Sequence, residues 1–241
     1  RSSKYILELI EFCIEALSQI QHKDGSFDEW YVNERGWAGP TGYIMNAALD
    51  CYDIIKDNIS PYHQQLLEKT IVKGIRFLVI SSEGYTIVNH LAIVLLPLVQ
   101  AQTILGMSEL DEKIDDLVNL IVSYWNDDEG WSLEYDGADP GYQSATLSFL
   151  AKVLKYKDIP ALRKICLGSL SFISYFCFPS GVFSGALGSR HTVTLFNAGV
   201  EAFRWTTKGA RLSRFIEESI LSENHILPRD LDDHYFIYRL N

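Results

Sequence analysis

Positive charge is in short supply in this chain: 21 Lys and Arg stand against 31 Asp and Glu, a net charge of −10 over 241 residues. That balance supplies no electrostatic footprint for nucleic acid. It also works against long-range attraction to a strongly anionic polymer, although a local cationic pocket would still bind one. Cysteine patterning is missing as well. Cys13, Cys51, Cys166 and Cys177 are scattered through helical stretches with no CxxC and no His/Cys metal spacing, so they read as buried free thiols. Neither a metal nor a cofactor is called for. No segment has the uninterrupted apolar length of a membrane span, and no signal-peptide pattern follows Arg1. The chain therefore reads as soluble, with its compartment and oligomeric state left open, and the missing initiator Met suggests a trimmed or excised piece. A hydrophobic content of 47% is enough for a sizeable core, most simply a single domain over residues 1–241.

What is present is a repeat. Gly25 in DGSF, Gly84 in EGY, Gly130 in EGW and Gly181 in SGVF recur roughly fifty residues apart, each after an amphipathic helical stretch and before an irregular loop and a more apolar helix. A period of that length with two helices per unit predicts an all-α array of helical hairpins forming a partial or full α/α toroid. The amphipathic first helices, such as SKYILELIEFCIEALSQI and SPYHQQLLEKTIVKGIRFLV, suit an outer ring. The charge-poor second helices are expected to start near Thr41, Asn89, Pro140 and Thr192 and to form an inner ring. Ser60-Pro61, Asp139-Pro140 and Ile159-Pro160 mark helix starts, with proline at the first helical position where a missing N–H costs nothing. Pro97 should kink the second inner helix or delay its start.

The stretch EGWSLEYDGADPGYQ organises the chain chemically. Gly141, Tyr142 and Gln143 fall in a first helical turn, where free N–H groups and the positive end of the helix dipole collect. Asn89 and His90 stand at the start of an otherwise apolar helix, and Arg190 and His191 precede the fourth. Inner helices of stacked hairpins run parallel, so these residues are expected to meet at one end of the array. Trp30, Tyr31, Trp37, Trp131 and Tyr135 supply aromatic platforms, with Asp139 and Gln143 as polar contacts. The inner helices carry no close carboxylate pair, although Asp136, Asp139 and the acidic first loop could provide acids.

At Asn89-His90 and in the DGADPGYQ loop the chain resembles the α/α-toroid polysaccharide lyases of the heparinase II/III-like and alginate-lyase-like kinds. The resemblance implies a polysaccharide or oligosaccharide substrate containing uronic acid, cleaved by β-elimination. It implies Asn89 and His90 as carboxylate ligands and Tyr142 as the proton-transfer residue, with Arg190 and His191 as charge partners. The chemistry is coherent, since removing a proton next to a carboxylate creates an enolate-like dianion that positioned donors must stabilise. Two departures stand out: about four hairpins where these lyases have more, and no β-sandwich domain. QHKDGSF is also similar to the repeats of squalene-hopene-type terpene cyclases, which would make Asp232 of Asp230-Leu231-Asp232-Asp233 the acid. A third possibility is a glycan-binding or scaffold module without turnover.

Overall fold

The computed structural model describes residues 2–28, 37–81 and 87–225. Their elements are α1 (Ser2–Ile20), α2 (Ala38–Ile55), α3 (Pro61–Ile80), α4 (Val88–Leu105), α5 (Asp111–Ser123), α6 (Pro140–Tyr156), α7 (Pro160–Ser174), α8 (Asn197–Ala202) and α9 (Thr207–Leu221). A small antiparallel hairpin pairs β1 (Trp125–Asn126) with β2 (Trp131–Ser132). The chain divides into two compact units, one of residues 1–83 and 93–114, the other of residues 84–92 and 115–241, so the boundaries fall inside α4 and α5.

Three helices start at the proline expected, two of them behind a side-chain cap. The Ser60 side chain accepts from the His63 N–H ahead of Pro61, Asp139 accepts from the Tyr142 N–H ahead of Pro140, and Ile159 precedes Pro160 without a side-chain cap. Pro97 lies inside α4 and does not delay its start. α4 is, by length and composition, apolar enough to cross a membrane, which corrects the expectation that no such segment exists. Its apolarity has a plainer cause, because 72% of it is buried inside the protein.

In the first unit α1 packs on α3 and α3 on α2. His63 clamps the first of these contacts. Its Nε2 lies 3.0 Å from Glu15 Oε1 and its Nδ1 3.2 Å from Glu11 Oε1, while Glu11 also accepts the Ser60 N–H at 2.9 Å. Replacing His63 with alanine is expected to lower stability by about 1–2 kcal/mol, read as a lower denaturant midpoint with an unchanged slope.

In the second unit α6 packs on α7 and α8, and α9 covers α7 and α8. Three of the four turn glycines explain why the repeat is visible in sequence; the fourth, Gly84, lies outside the described residues. Gly25 has φ +102°, and a Cβ there would strike the Lys73 carbonyl of α3. Gly130 has φ +79°, and a Cβ there would sit 3.0 Å from the Gly168 carbonyl oxygen of α7. Gly181, at φ +83°, lies against the C-terminal end of α9, where a Cβ would sit 3.0 Å from Ser222 Oγ and 3.5 Å from Ser219 Cα. Each glycine thus lets a loop lie directly on the following amphipathic helix, in a conformation other residues rarely adopt. A second device repeats with it. The Phe27 N–H donates to Thr41 Oγ1 at 3.1 Å, and the Ser132 N–H donates to Gln143 Oε1 at 2.7 Å. In both cases the donor lies two residues after the glycine and the acceptor on the first turn of the next apolar helix.

The fourth apolar helix does not begin near Thr192. The backbone is irregular to Phe196, and only the short α8 follows. Its N–H groups are spent elsewhere: Arg190 and Thr192 donate to Asp139 Oδ2, and Phe196 donates to Ser144 Oγ at 2.8 Å. Capped by Thr206, whose side chain accepts from the Gly209 N–H, α9 follows; the repeat pattern alone did not single it out.

All four cysteines are unpaired, as expected, but only Cys166 is fully buried; Cys13 is exposed, and Cys51 and Cys177 are half-buried. Burial raises the Cys166 and Cys177 thiols, the latter to about 12. Thiol reagent should therefore label Cys13 first in native protein and reach Cys166 only on unfolding, when four thiols in total titrate.

Candidate functional site

The second unit brings the start of α4 against the loop that leads into α6. Ile87 forms a bridge with Glu134, and the Val88 N–H donates to the Leu133 carbonyl at 3.2 Å. Tyr135 and Asp136 then take left-handed backbone angles, φ 51° and 68°. They are held between the Glu134 and Gly137 backbone bonds on one side and the Ser189 hydroxyl, which donates to the Glu134 carbonyl at 2.8 Å, on the other. Non-glycine residues in this region carry strain of roughly 1–2 kcal/mol each. The strain displays the Tyr135 ring.

That ring is the hub of a cluster. It meets His90 edge-on at 6.5 Å between centroids and Tyr142 at 6.0 Å, and the Arg190 guanidinium lies over it at 4.1 Å. Four residues from three separate stretches of the sequence, three of them expected as catalytic and one as an aromatic platform, are thereby gathered. Arg190 is exposed, while Tyr135 and Tyr142 are half-buried. The cation over the ring contributes about 0.5–1 kcal/mol at such an exposed position. His90 is neutral at ordinary pH: burial pushes its pKa down to about 4, and its Nδ1 is buried without a hydrogen-bond partner.

Several of the other expected site residues are bonded within the fold. Asn89 gives its backbone N–H to Glu134 Oε1 at 2.8 Å and its side-chain amide to Glu134 Oε2 at 2.6 Å. Gln143 is 0% exposed and bonded at both ends, to the Ser132 N–H and to Ser169 Oγ. Asp139, 1% exposed, caps α6 and also holds the Arg190 and Thr192 N–H groups. Trp131 bonds Glu129 through its indole N–H at 2.6 Å, and His191 is exposed with φ 56°. Trp37, 39% exposed, precedes α2 in the other unit. Trp30, Tyr31 and Asp232 lie outside the described residues.

Glu134 is the residue that sequence reasoning passed over. It is 0% exposed, and Asn89 and Thr146 are its hydrogen-bond partners. Burial pushes its pKa up to about 8 against the opposing effect of the Asn89 hydrogen bonds. Set between Leu133 and Tyr135 in a polar loop, it carries no sequence sign of burial.

No protein-family model matches the chain, and no curated protein matches it. Among solved structures it is similar to an inactive variant of the alpha-1,6-mannanase GH76A of a Salegentibacter species, two aspartates replaced by asparagine, in complex with alpha-1,6-mannotriose. The two share 12% identity over 88% of this chain and 70% of that one, with a TM-score of 0.62. The likeness establishes the fold: an all-α array of helical hairpins of the α/α-toroid class, as the repeat predicted.

Proposed function

We propose that this chain is a carbohydrate-active protein and that the cluster of His90, Tyr135, Tyr142 and Arg190 is its glycan site. The observation that carries the reading is the Tyr135 ring, held by a strained loop between a second tyrosine, an imidazole and a guanidinium. Aromatic faces bury the apolar C–H faces of sugar rings, while phenol, imidazole and guanidinium groups bond their hydroxyls. The solved structure of the same fold is named as a mannanase and holds alpha-1,6-mannotriose, which makes a neutral mannooligosaccharide the first ligand to test and glycoside hydrolysis the favoured chemistry.

β-Elimination on a uronate glycan is the second reading. Arg190 over Tyr135, the ring next to Tyr142, favours it, since a nearby cation lowers the cost of ionising a phenol. Its carboxylate-binding part is weaker, because Asn89 would have to leave Glu134 and His90 is neutral.

Calorimetry with alpha-1,6-mannotriose and with an oligo-uronate distinguishes the ligands, and reducing-end release against near-ultraviolet absorbance distinguishes the reactions. Tyr135→Ala should weaken binding about tenfold or more, equivalent to about 1.4 kcal/mol. Under the lyase reading Tyr142→Phe abolishes product while sparing binding; under the hydrolase reading Tyr142→Phe retains turnover. No binding by either glycan, together with an unchanged Tyr135→Ala profile, would overturn the assignment of the site. Binding without turnover would place the chain among glycan-binding modules.

A further inference from the structure

We propose that Glu134 is the positioning residue of this site, a carboxyl that works in its protonated form, and that loss of its proton releases Tyr135 from between His90, Tyr142 and Arg190. The inference rests on reading the Tyr135 cluster as the glycan site, but it can be tested without a glycan.

Glu134 ties together every segment that shapes the cluster. Its carboxyl meets the first turn of α4 through Asn89, and its Oε1 lies 3.4 Å from Thr146 Oγ1 of α6. Its backbone bridges Ile87 and Gly137, and its carbonyl accepts from Ser189 in the segment that carries Arg190. Tyr135 is the next residue, so the ring cannot keep its place if Glu134 leaves.

The geometry favours a neutral carboxyl. Glu134 is 0% exposed, and its side-chain partners, Asn89 and Thr146, are both uncharged. Reversing the Asn89 amide, whose oxygen and nitrogen are interchangeable in shape, sets Oδ1 to accept a proton from the carboxyl. The other carboxyl oxygen still accepts the Asn89 N–H at 2.8 Å. Charged and titratable groups around it offer an anion little help. On α4, His90 is neutral. At the start of α6, Asp139 is a like charge that raises the Glu134 pKa further. On the following segment Arg190 is spent over Tyr135, and His191 is exposed. On its own loop Asp136 is exposed and also acidic. An ionised Glu134 therefore gains most by moving towards water, and the strained turn at Tyr135 and Asp136 relaxes as it goes.

The test is nuclear magnetic resonance of the whole chain. With the glutamate side-chain carboxyl carbons labelled, one carboxyl should titrate near pH 8, and that signal should be missing in Glu134→Gln. The ring signal of Tyr135, identified as the one lost in Tyr135→Phe, should shift with the same midpoint. In Glu134→Gln, whose amide can donate to Asn89 Oδ1 and accept from its N–H, the Tyr135 signal should hold its low-pH position with no step between pH 6 and 9. In Glu134→Leu, which breaks both bonds, it should be displaced at every pH. A Tyr135 ring unmoved across the glutamate titration, or a step that survives in Glu134→Gln, would overturn the proposal. If Glu134→Gln does not fold, the wild-type carboxyl and ring titrations still decide it, since the proposal requires both to occur with one midpoint. Failure here would leave the glycan reading standing, and failure of glycan binding would leave this one standing.

Discussion

Gly25→Ala is expected to destabilise the protein by about 3–5 kcal/mol, more than any other change of one methyl group discussed for this chain. Two effects add. At φ +102° an alanine side chain is strained wherever it points, and the new Cβ collides with the Lys73 carbonyl, which belongs to the α3 backbone and cannot rotate away as a side-chain tip would. The collision also pushes the loop off Phe77 and strains the bond from the Phe27 N–H to Thr41. Ser26 and Phe27, both essentially buried, would be forced towards water. The measurement is the urea midpoint of Gly25→Ala against wild type. Gly106→Ala is a suitable control, since its φ is also positive, at +71°, but its Cβ would meet nothing within 4 Å. A loss no larger than the control's would mean that the contact with α3 contributes little.

Stability should also fall by about 2 kcal/mol between pH 6.5 and 8, and Glu134 sets the sign. Its folded pKa, raised to about 8 by burial, stands above the ordinary 4.5 of the unfolded chain. Between those values the native protein keeps a proton that the unfolded chain has released, so each step up in pH favours unfolding until Glu134 ionises in both states. His90 acts oppositely. Burial lowers its pKa from 6.5 to about 4, so its contribution is present above pH 6.5 and is lost as pH falls towards 4. His225 is shifted down for the same reason and belongs to the same acid window. The raised thiols add nothing in this window, because Cys51, Cys166 and Cys177 titrate above their ordinary 9.0. Among the described residues with a shifted pKa, Glu134 is the group that titrates in the interval from pH 6.5 to 8. Urea midpoints should fall across it in wild type and stay level in Glu134→Gln, whereas His90→Gln should leave this slope alone and reduce the loss below pH 6.5.

The legible part of the fold was written in local chemistry. Asp139-Pro140 and Ser60-Pro61 announce helices through backbone rules that hold whatever surrounds them, and the turn glycines announce positive φ. His90 and Tyr142 stand in the first turns of α4 and α6, where the sequence places them, whereas Arg190 reaches the Tyr135 ring from irregular backbone ahead of α8 and not from a helix start. What stayed hidden depends on contacts between distant segments. Gln143 and Asn89 look like ligands in sequence because amides at helix starts so often are, yet both are bonded to groups that only the fold delivers, Ser132 with Ser169 and Glu134. The apolar pattern after Arg190 predicts a long helix, but bonds to Asp139 and Ser144 outcompete it and leave only α8. Glu134 was illegible because burial of a carboxyl leaves no mark on its neighbours in the chain.

The glycine contacts bear on how the molecule assembles. Each turn in question finds its resting place on a helix that is made later in the chain: Gly25 on α3, Gly130 on α7 and Gly181 on α9. A hairpin emerging first therefore has an unfinished turn until its successor arrives, and neither gains full stability alone. Within each unit this couples the stability of neighbouring hairpins. Loss of α9 should accordingly loosen the 177–183 turn before it disturbs the turn at Gly130, whose seat on α7 remains.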